Sequence, residues 1–217
     1  MTIKAAIFDW DGTVVDSVEH IVDCLLHAST SIGFPGLERP VYRNIIGLGL
    51  VEALRALYPD ITPGQMTEMR TAYSSHFMTT SANHQRVFQG MTDILEELHR
   101  RQRHCAIATG KSRRGLDLAL NASQLAPWFH VSRCADETRS KPDPAMLVEI
   151  LEHFRLEPHE AVMIGDTSYD MQMAASIGMP AIGVTWGVHT PDTLALHNPR
   201  AIVSEVAELH QLLNEPA

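Results

Sequence analysis

Lysine is the scarcest charge carrier in this chain of 217 residues: only Lys4, Lys111 and Lys141 are present. Basic residues number 17 against 26 acidic ones, a formal net charge of −9. A protein that grips a phosphate backbone needs a basic face, so this balance argues against nucleic acid as the main partner. The basic run Arg100-Arg101-Gln102-Arg103 closes a helical pattern, where cations favour the negative end of the helix dipole. Cysteine is also sparse. Cys24, Cys105 and Cys134 are odd in number and far apart, with no Cys-x-x-Cys, which argues against a disulfide framework or a zinc site. Long apolar runs are missing too. Nothing approaches the ~18 consecutive apolar residues of a membrane helix, and the N-terminal run meets Asp9 too early for a secretory signal. The expectation is a cytoplasmic protein with no membrane partner. Histidine is the exception in abundance, but His159-Glu160 is followed by Met163 where a zinc-protease pattern needs its second histidine. His20 and His27 share a helix face without a third ligand nearby.

The apolar residues that remain are ordered in two periods. Ile3 to Phe8 is a short continuous run that stops at Asp9-Trp10-Asp11-Gly12, the pattern of a strand entering a turn. Similar runs recur at Cys105–Ala108, Val131–Ala135, Ala161–Ile164, Ala181–Val184 and Ala201–Val203. Between them Met91, Ile94, Leu95 and Leu98, or Met146, Leu147, Ile150 and Leu151, follow helical spacing. Strands alternating with amphipathic helices imply βαβ crossovers and a mostly parallel α/β sheet. One stretch breaks the alternation. From Asp16 to His84 the periodicity is helical throughout, carried by Ile21, Val22 and Leu25, then Val51, Leu54 and Leu57, then Met66, Met69, Tyr73 and Phe77. The expected organisation is a Rossmann-like core of residues 1–15 and 85–217, with a helical insertion over 16–84. Short connections near Val14–Ser17 and His84–Phe88 are expected to act as hinges.

In an open α/β sheet, chemistry gathers at the carboxyl ends of the strands. The polar residues there are Asp9 and Asp11, then Thr109-Gly110-Lys111, then Gly165-Asp166 with Asp170 shortly after. Lys141 stands in Ser140-Lys141-Pro142-Asp143-Pro144, just before a helix. Asp9 and Asp11 are two apart and so share a face. Paired carboxylates repel unless a proton or cation intervenes. With Asp166 they make an oxygen-rich pocket suited to a hard ion such as Mg²⁺. Gly110-Lys111-Ser112 looks like the end of a nucleotide-binding loop, but Cys105 stands where that loop needs its first glycine. Lys111 is therefore expected to face solvent rather than border the site. Trp128, Phe129 and Trp186 read as packing residues, with Thr185-Trp186-Gly187 after its strand the alternative candidate for the site rim.

The segment Asp9-Trp10-Asp11-Gly12-Thr13-Val14-Val15-Asp16-Ser17 resembles the first signature of haloacid dehalogenase-like hydrolases. Thr109 after an apolar strand is similar to the second, Lys141 before proline to the third, and Gly165-Asp166-x-x-x-Asp170 to the fourth. All come in order, and the insertion lies where that family places its first-type helical cap. The resemblance is nearest to the phosphoglycolate phosphatase-like branch and covers essentially the whole chain. It implies a phosphatase acting on a small phosphorylated metabolite. Asp9 is then the nucleophile that takes the phosphoryl group, and Asp11 the general acid and base. Thr109, Gly110 and Lys141 bind the phosphoryl oxygens, and Lys141 also balances charge on the nucleophile. Mg²⁺ is held by Asp9, Asp11 through its backbone carbonyl, and Asp166, with Asp170 and Thr13 in support. In the cap, Gly47 and Gly49 are expected to line the specificity pocket, with Arg43 offered to a substrate carboxylate. A phosphomutase of the β-phosphoglucomutase kind, a pyrophosphatase and a non-catalytic ligand-binding regulator remain alternatives. A monomer or homodimer is expected.

Overall fold

The computed structural model describes residues 3–80 and 86–214. The chain starts with β1 (Ala5–Phe8) and β2 (Val15–Asp16), then runs through helices α1 (Val18–Ser31), α2 (Arg39–Arg43), α3 (Leu50–Leu57) and α4 (Pro63–Thr80). It returns through β3 (Arg86–Val87), α5 (Met91–Arg100), β4 (His104–Thr109), α6 (Arg113–Ser123), β5 (Val131–Cys134) and α7 (Ala145–Phe154). It closes with β6 (Ala161–Gly165), α8 (Ser168–Ala175), β7 (Ala181–Val184), α9 (Pro191–Ala195), β8 (Ala201–Val203) and α10 (Val206–Asn214).

Six strands form one parallel sheet in the order β5-β4-β1-β6-β7-β8, which makes this an α/β protein. The four residues of β1 show why. Ala6 and Phe8 pack into one apolar cluster with Met91, Ile94, Leu95 and Leu98 of α5. Ala5 and Ile7 pack into the cluster on the other face with Met146, Leu147 and Ile150 of α7. Alternate side chains of a strand point to opposite faces, so a strand apolar at every position must be covered on both. Central position follows: Ile7 pairs with Ala106 of β4 and with Met163 of β6, both parallel. Helix α5 buries its apolar stripe, and its outer face carries Glu97 bridged to Arg100 and Arg101 at 2.6 Å. The strand and helix positions read from periodicity agree with these elements to within a residue or two.

Helices α1 to α4 contribute a third apolar cluster of their own, around Leu25, Tyr42, Leu54 and Met69. The connections to it were expected to be plain linkers. The structure pairs them instead: β2 and β3 form an antiparallel ribbon with Val15 opposite Val87 and Asp16 opposite Arg86. Two-residue strands lie below any periodicity a sequence can display. The expected second hinge begins at 84, and residues 81–85 lie outside the described residues. Among the described residues no helix is long and apolar enough to cross a membrane.

Candidate active site

The sheet order reverses around β1, so the carboxyl ends of β1, β4 and β6 open onto one crevice, the usual site position in such sheets. Asp9 follows β1, and its amide donates to the Ile164 carbonyl at 2.9 Å. Beyond it, Gly12 sits at φ +79°, and a side chain there would strike the carboxylate of Asp166. Glycine alone satisfies both the left-handed backbone and the close approach. This tight turn brings Asp11 and Thr13 back over the strand ends. Thr13 Oγ1 donates to Asp166 Oδ1 at 2.8 Å, and the Val188 amide donates to Asp166 Oδ2 at 2.9 Å.

Lys141 is the hinge of the charge pattern. It is 1 % exposed, and its Nζ lies 2.7 Å from Asp9 Oδ1 and 2.6 Å from Asp170 Oδ1. Burial pulls its pKa down, but Asp170 and Asp9 outweigh that and hold it above the ordinary lysine value. A buried cation that bridges two carboxylates is strongly destabilising to lose, because each partner then stays buried and uncompensated. Asp170 is fixed in turn by the capping box of α8: Thr167 Oγ1 donates to Asp170 Oδ2 at 2.7 Å and the Thr167 amide at 3.1 Å. Without Lys141 and the cap, three acids could not share this space.

Even so, anionic charge is left over. Ligand oxygens of Asp9, Asp166 and Asp170 lie within 4.8 Å of one another. Desolvation pushes the pKa of Asp9 well above the carboxylate range against the pull of Lys141, with Asp170 and Asp166 adding to the rise. Desolvation, then the charge of Asp170, raises Asp166 to about 7. Asp9 Oδ2 is buried with no hydrogen-bond partner among the described residues. An orphaned carboxylate oxygen in a cluster whose pKa values are driven up by burial and repulsion fits a hard divalent cation. The carboxylates that converge are those of Asp9, Asp166 and Asp170, so Asp170, expected in support, stands among the side chains that could hold an ion.

Asp11 faces the other way, toward the helical insertion. Its Oδ1 accepts from Ser17 Oγ at 2.5 Å and lies 3.0 Å from Lys111 Nζ. Its Oδ2 has no partner among the described residues. Ser17 stands at the N-cap of α1 but makes no cap bond; its hydroxyl serves Asp11. Lys111 corrects the sequence expectation: its side chain is 7 % exposed, and Nζ stands 4.6 Å from the ring centre of Phe77 in α4. The ion pair and the ring draw it inward. Thr109 ends β4, is buried, and its Oγ1 accepts from the Lys111 amide at 3.2 Å. A side chain on Gly110 would run into the carbonyls of Gly47 and Leu48, so the 45–48 loop rests on the backbone of the second signature.

Asp9 and Asp11 form the floor of a cavity of about 190 Å³ whose walls include Gly47, Gly110 and Lys111. The three expected cap residues separate. Gly47 lines this cavity. Gly49 does not; its amide donates to Ser140 Oγ at 2.6 Å, and the residue borders a separate outer cavity of about 650 Å³. Arg43 does not line the cavity: it is ion-paired with Glu19 and donates to the Gly187 carbonyl at 3.2 Å, behind Asp166. Helix α2 ends at Arg43, on the side of the insertion that meets the loop after β7. A residue count along the loop does not show that turn.

The family model described as haloacid dehalogenase-like hydrolase matches residues 6–184. The chain belongs to that family. A relative from Dickeya dadantii, named "Probable phosphatase IndB", is 32% identical over 207 residues, covering 94% of this chain and 90% of its own. A phosphoglycolate phosphatase of Vibrio vulnificus is 25% identical over 216 residues, covering 95% and 94%. The crystal structure of a hydrolase from Pseudomonas syringae superposes with a TM-score of 0.90 at 23% identity over all of both chains, a likeness of fold. Three groups of this site were given no role in it from sequence: Ser17, quoted only as the end of the first signature, Lys111, expected in solvent, and Val188, which follows Gly187 of the candidate rim segment. A side chain at Gly187 would overlap Asp166, and only the pairing of β7 beside β6 brings that segment to the acid.

Proposed function

We propose that the protein is a Mg²⁺-dependent phosphatase for monoesters of a small metabolite, working through an aspartyl-phosphate on Asp9. The observation that carries this reading is the state of Asp9: one oxygen held by Lys141 at 2.7 Å, the other buried without a hydrogen-bond partner, at the floor of a cavity. Lys141 orients the carboxylate and offsets its charge. Asp9 attacks phosphorus and the bond from phosphorus to the leaving oxygen breaks. Asp11, whose Oδ2 has no partner among the described residues, protonates that oxygen. It then takes a proton from the water that opens the acyl phosphate, which restores Asp9 and releases inorganic phosphate. Thr109 and the Gly110 amide hold phosphoryl oxygens. Asp9, Asp166 and the Asp11 carbonyl are the expected ligands of the ion, with Asp170 in support; bound Mg²⁺ offsets negative charge between carboxylate and phosphate. Residues 16–84 act as a cap hinged on the β2–β3 ribbon; the boundary at 84–85 lies outside the described residues.

The family membership and the phosphatases among its relatives support this reading. Phosphate release from a metabolite panel with Mg²⁺ tests it. Release that stops with EDTA, returns with Mg²⁺ and is absent in Asp9→Asn is the expected result; full activity in EDTA after metal-free dialysis overturns it.

A further inference from the structure

The cavity over Asp9 and Asp11 is walled by apolar side chains: Ile21 and Leu25 from α1, Leu50 from α3, Tyr73 and Phe77 from α4, and Leu118 from α6. The rings of Tyr73 and Phe77 stack at 5.7 Å with planes 27° apart. At the rim, Met78 and Leu118 stand 42% and 51% exposed, apolar side chains that packing leaves about half open to solvent. Single exposed hydrophobics are ordinary; two on the rim of one cavity above two reactive carboxylates are an extension of its wall.

The charges in that wall are as informative. Besides Asp9 and Asp11 they are Lys111 and Arg114. Lys111 is engaged by Asp11 and Phe77. Arg114 has no ion pair among the described residues, but it is exposed and also borders the outer cavity of about 650 Å³, which touches neither Asp9 nor Asp11. Arg114, at the exposed rim, is thus the one uncommitted cation among the described lining residues, and the α1 and α4 walls, where the leaving group would lie, offer none to a carboxylate or a second phosphate. The cavity's hydroxyls, on Tyr73, Ser74 and Ser112, are few for a sugar. A cavity near 150 Å³ lined by such side chains takes a benzene ring, and this one encloses about 190 Å³.

We propose that the preferred substrates are phosphate monoesters of apolar, ring-bearing alcohols or phenols, the ring lying between the α1 and α4 walls. The inference rests on the phosphatase reading of the same site and names its leaving group. Two measurements keep the two separable. Calorimetry with Mg²⁺ present compares benzylphosphonate with phosphonoacetate, which differ in the ring and the carboxylate. Burial of one ring predicts binding of benzylphosphonate tighter by about 10- to 100-fold; equal or weaker binding overturns the proposal whether or not the protein turns over. Phosphate release then compares benzyl phosphate with phosphoglycolate, pyrophosphate and glucose 6-phosphate. A kcat/KM for benzyl phosphate at least about 10-fold above all three is expected, given the same ring burial. Preference for any of the three overturns the proposal and leaves the phosphatase reading standing. Inertness toward all four and toward acetyl phosphate overturns the phosphatase reading, and the binding comparison still decides the ring. Leu118→Gln, at an exposed position that folds either way, is expected to lower the benzyl phosphate to acetyl phosphate ratio about 3-fold from lost apolar contact; an unchanged ratio counts against the proposal.

Discussion

The two sides of the cavity are built by different rules. On the core side each carboxylate over the strand ends has an opposite charge or a hydrogen-bond donor within 3.0 Å: Asp9 and Asp170 at Lys141, Asp166 at Thr13 and Val188, Asp11 at Ser17 and Lys111. On the insertion side the surface is mostly aliphatic and aromatic, and among the described residues Ser17 and the Phe77 ring reach across to Asp11 and Lys111. The first surface is fixed by backbone: strand ends, a tight glycine turn and a capping box hold its groups in place. The second is fixed by packing, which sets shape and leaves chemistry to what fills it. Catalysis and selectivity should therefore respond to mutation independently, except where Ser17 and Lys111 join the two sides.

The strongest break is Asp9→Asn. It should remove phosphate release on every substrate, by about 10⁴-fold or more, while thermal unfolding stays cooperative. A residual rate that depends on the substrate's ring would mean that the two surfaces are not separable. Asp11→Asn should cost about 10²–10⁴-fold with an alkyl phosphate and less with p-nitrophenyl phosphate, whose leaving group needs little protonation. Rapid quench on the second substrate should find phosphorylated protein that hydrolyses slowly. Equal losses on both substrates would remove Asp11 from its role.

Lys141→Met sharpens the core side through stability. Removing the partner of two buried carboxylates should cost about 3–5 kcal/mol, read as a lowered denaturation midpoint at neutral pH. Asp166 supplies a pH test. Its pKa of about 7 in the fold lies above the ordinary value of 3.8, so the native state holds a proton that the unfolded chain releases. Its contribution to stability of the metal-free protein is complete below pH 4 and is lost as pH rises through about 7. On the proposed reading Mg²⁺ would bind the deprotonated cluster, so the rise in melting temperature on adding Mg²⁺ should be larger at pH 7.5 than at pH 5.5. An equal rise at both would place the ion elsewhere. The smallest effect belongs to Arg43→Ala. Its pair with Glu19 is exposed, so a loss below about 1 kcal/mol is expected, with the substrate profile unmoved. A changed profile would return Arg43 to the binding surface.

What could be read from residues alone divides along the same line. The sheet, the carboxylates clustered at its strand ends and Lys141 were legible because each is marked within a few residues: an apolar run that stops at an acid, or a lysine before a proline. Their meeting follows from one rule about strand ends. The insertion's helices were legible from periodicity, but not the direction of their side chains. Arg43 was expected in the pocket and lies on Glu19 and Gly187. Lys111 was expected in solvent and is drawn in by Asp11, a hundred residues earlier, and by Phe77, in a helix of the insertion. Both depend on how two separately packed clusters meet. Gly187 was marked only by its place after a strand; the reason it must be glycine lies in Asp166 of the neighbouring strand's end.

The ribbon of β2 and β3 bears on how such a chain can be rebuilt. Val15 and Val87 are cross-strand partners, so the points where the polypeptide leaves and rejoins the sheet lie one strand spacing apart, about 5 Å. Everything between them is, for the sheet, a single very long hairpin loop. A two-residue Asn-Gly turn bridges the same gap, and neither apolar cluster on the sheet draws on α1 to α4. Excision at this point would yield a minimal core with Asp9, Lys141, Asp166 and Asp170 still in register and their crevice open to water. The same splice would accept a foreign helical segment, so the molecule is, in architectural terms, a fixed socket with an exchangeable head.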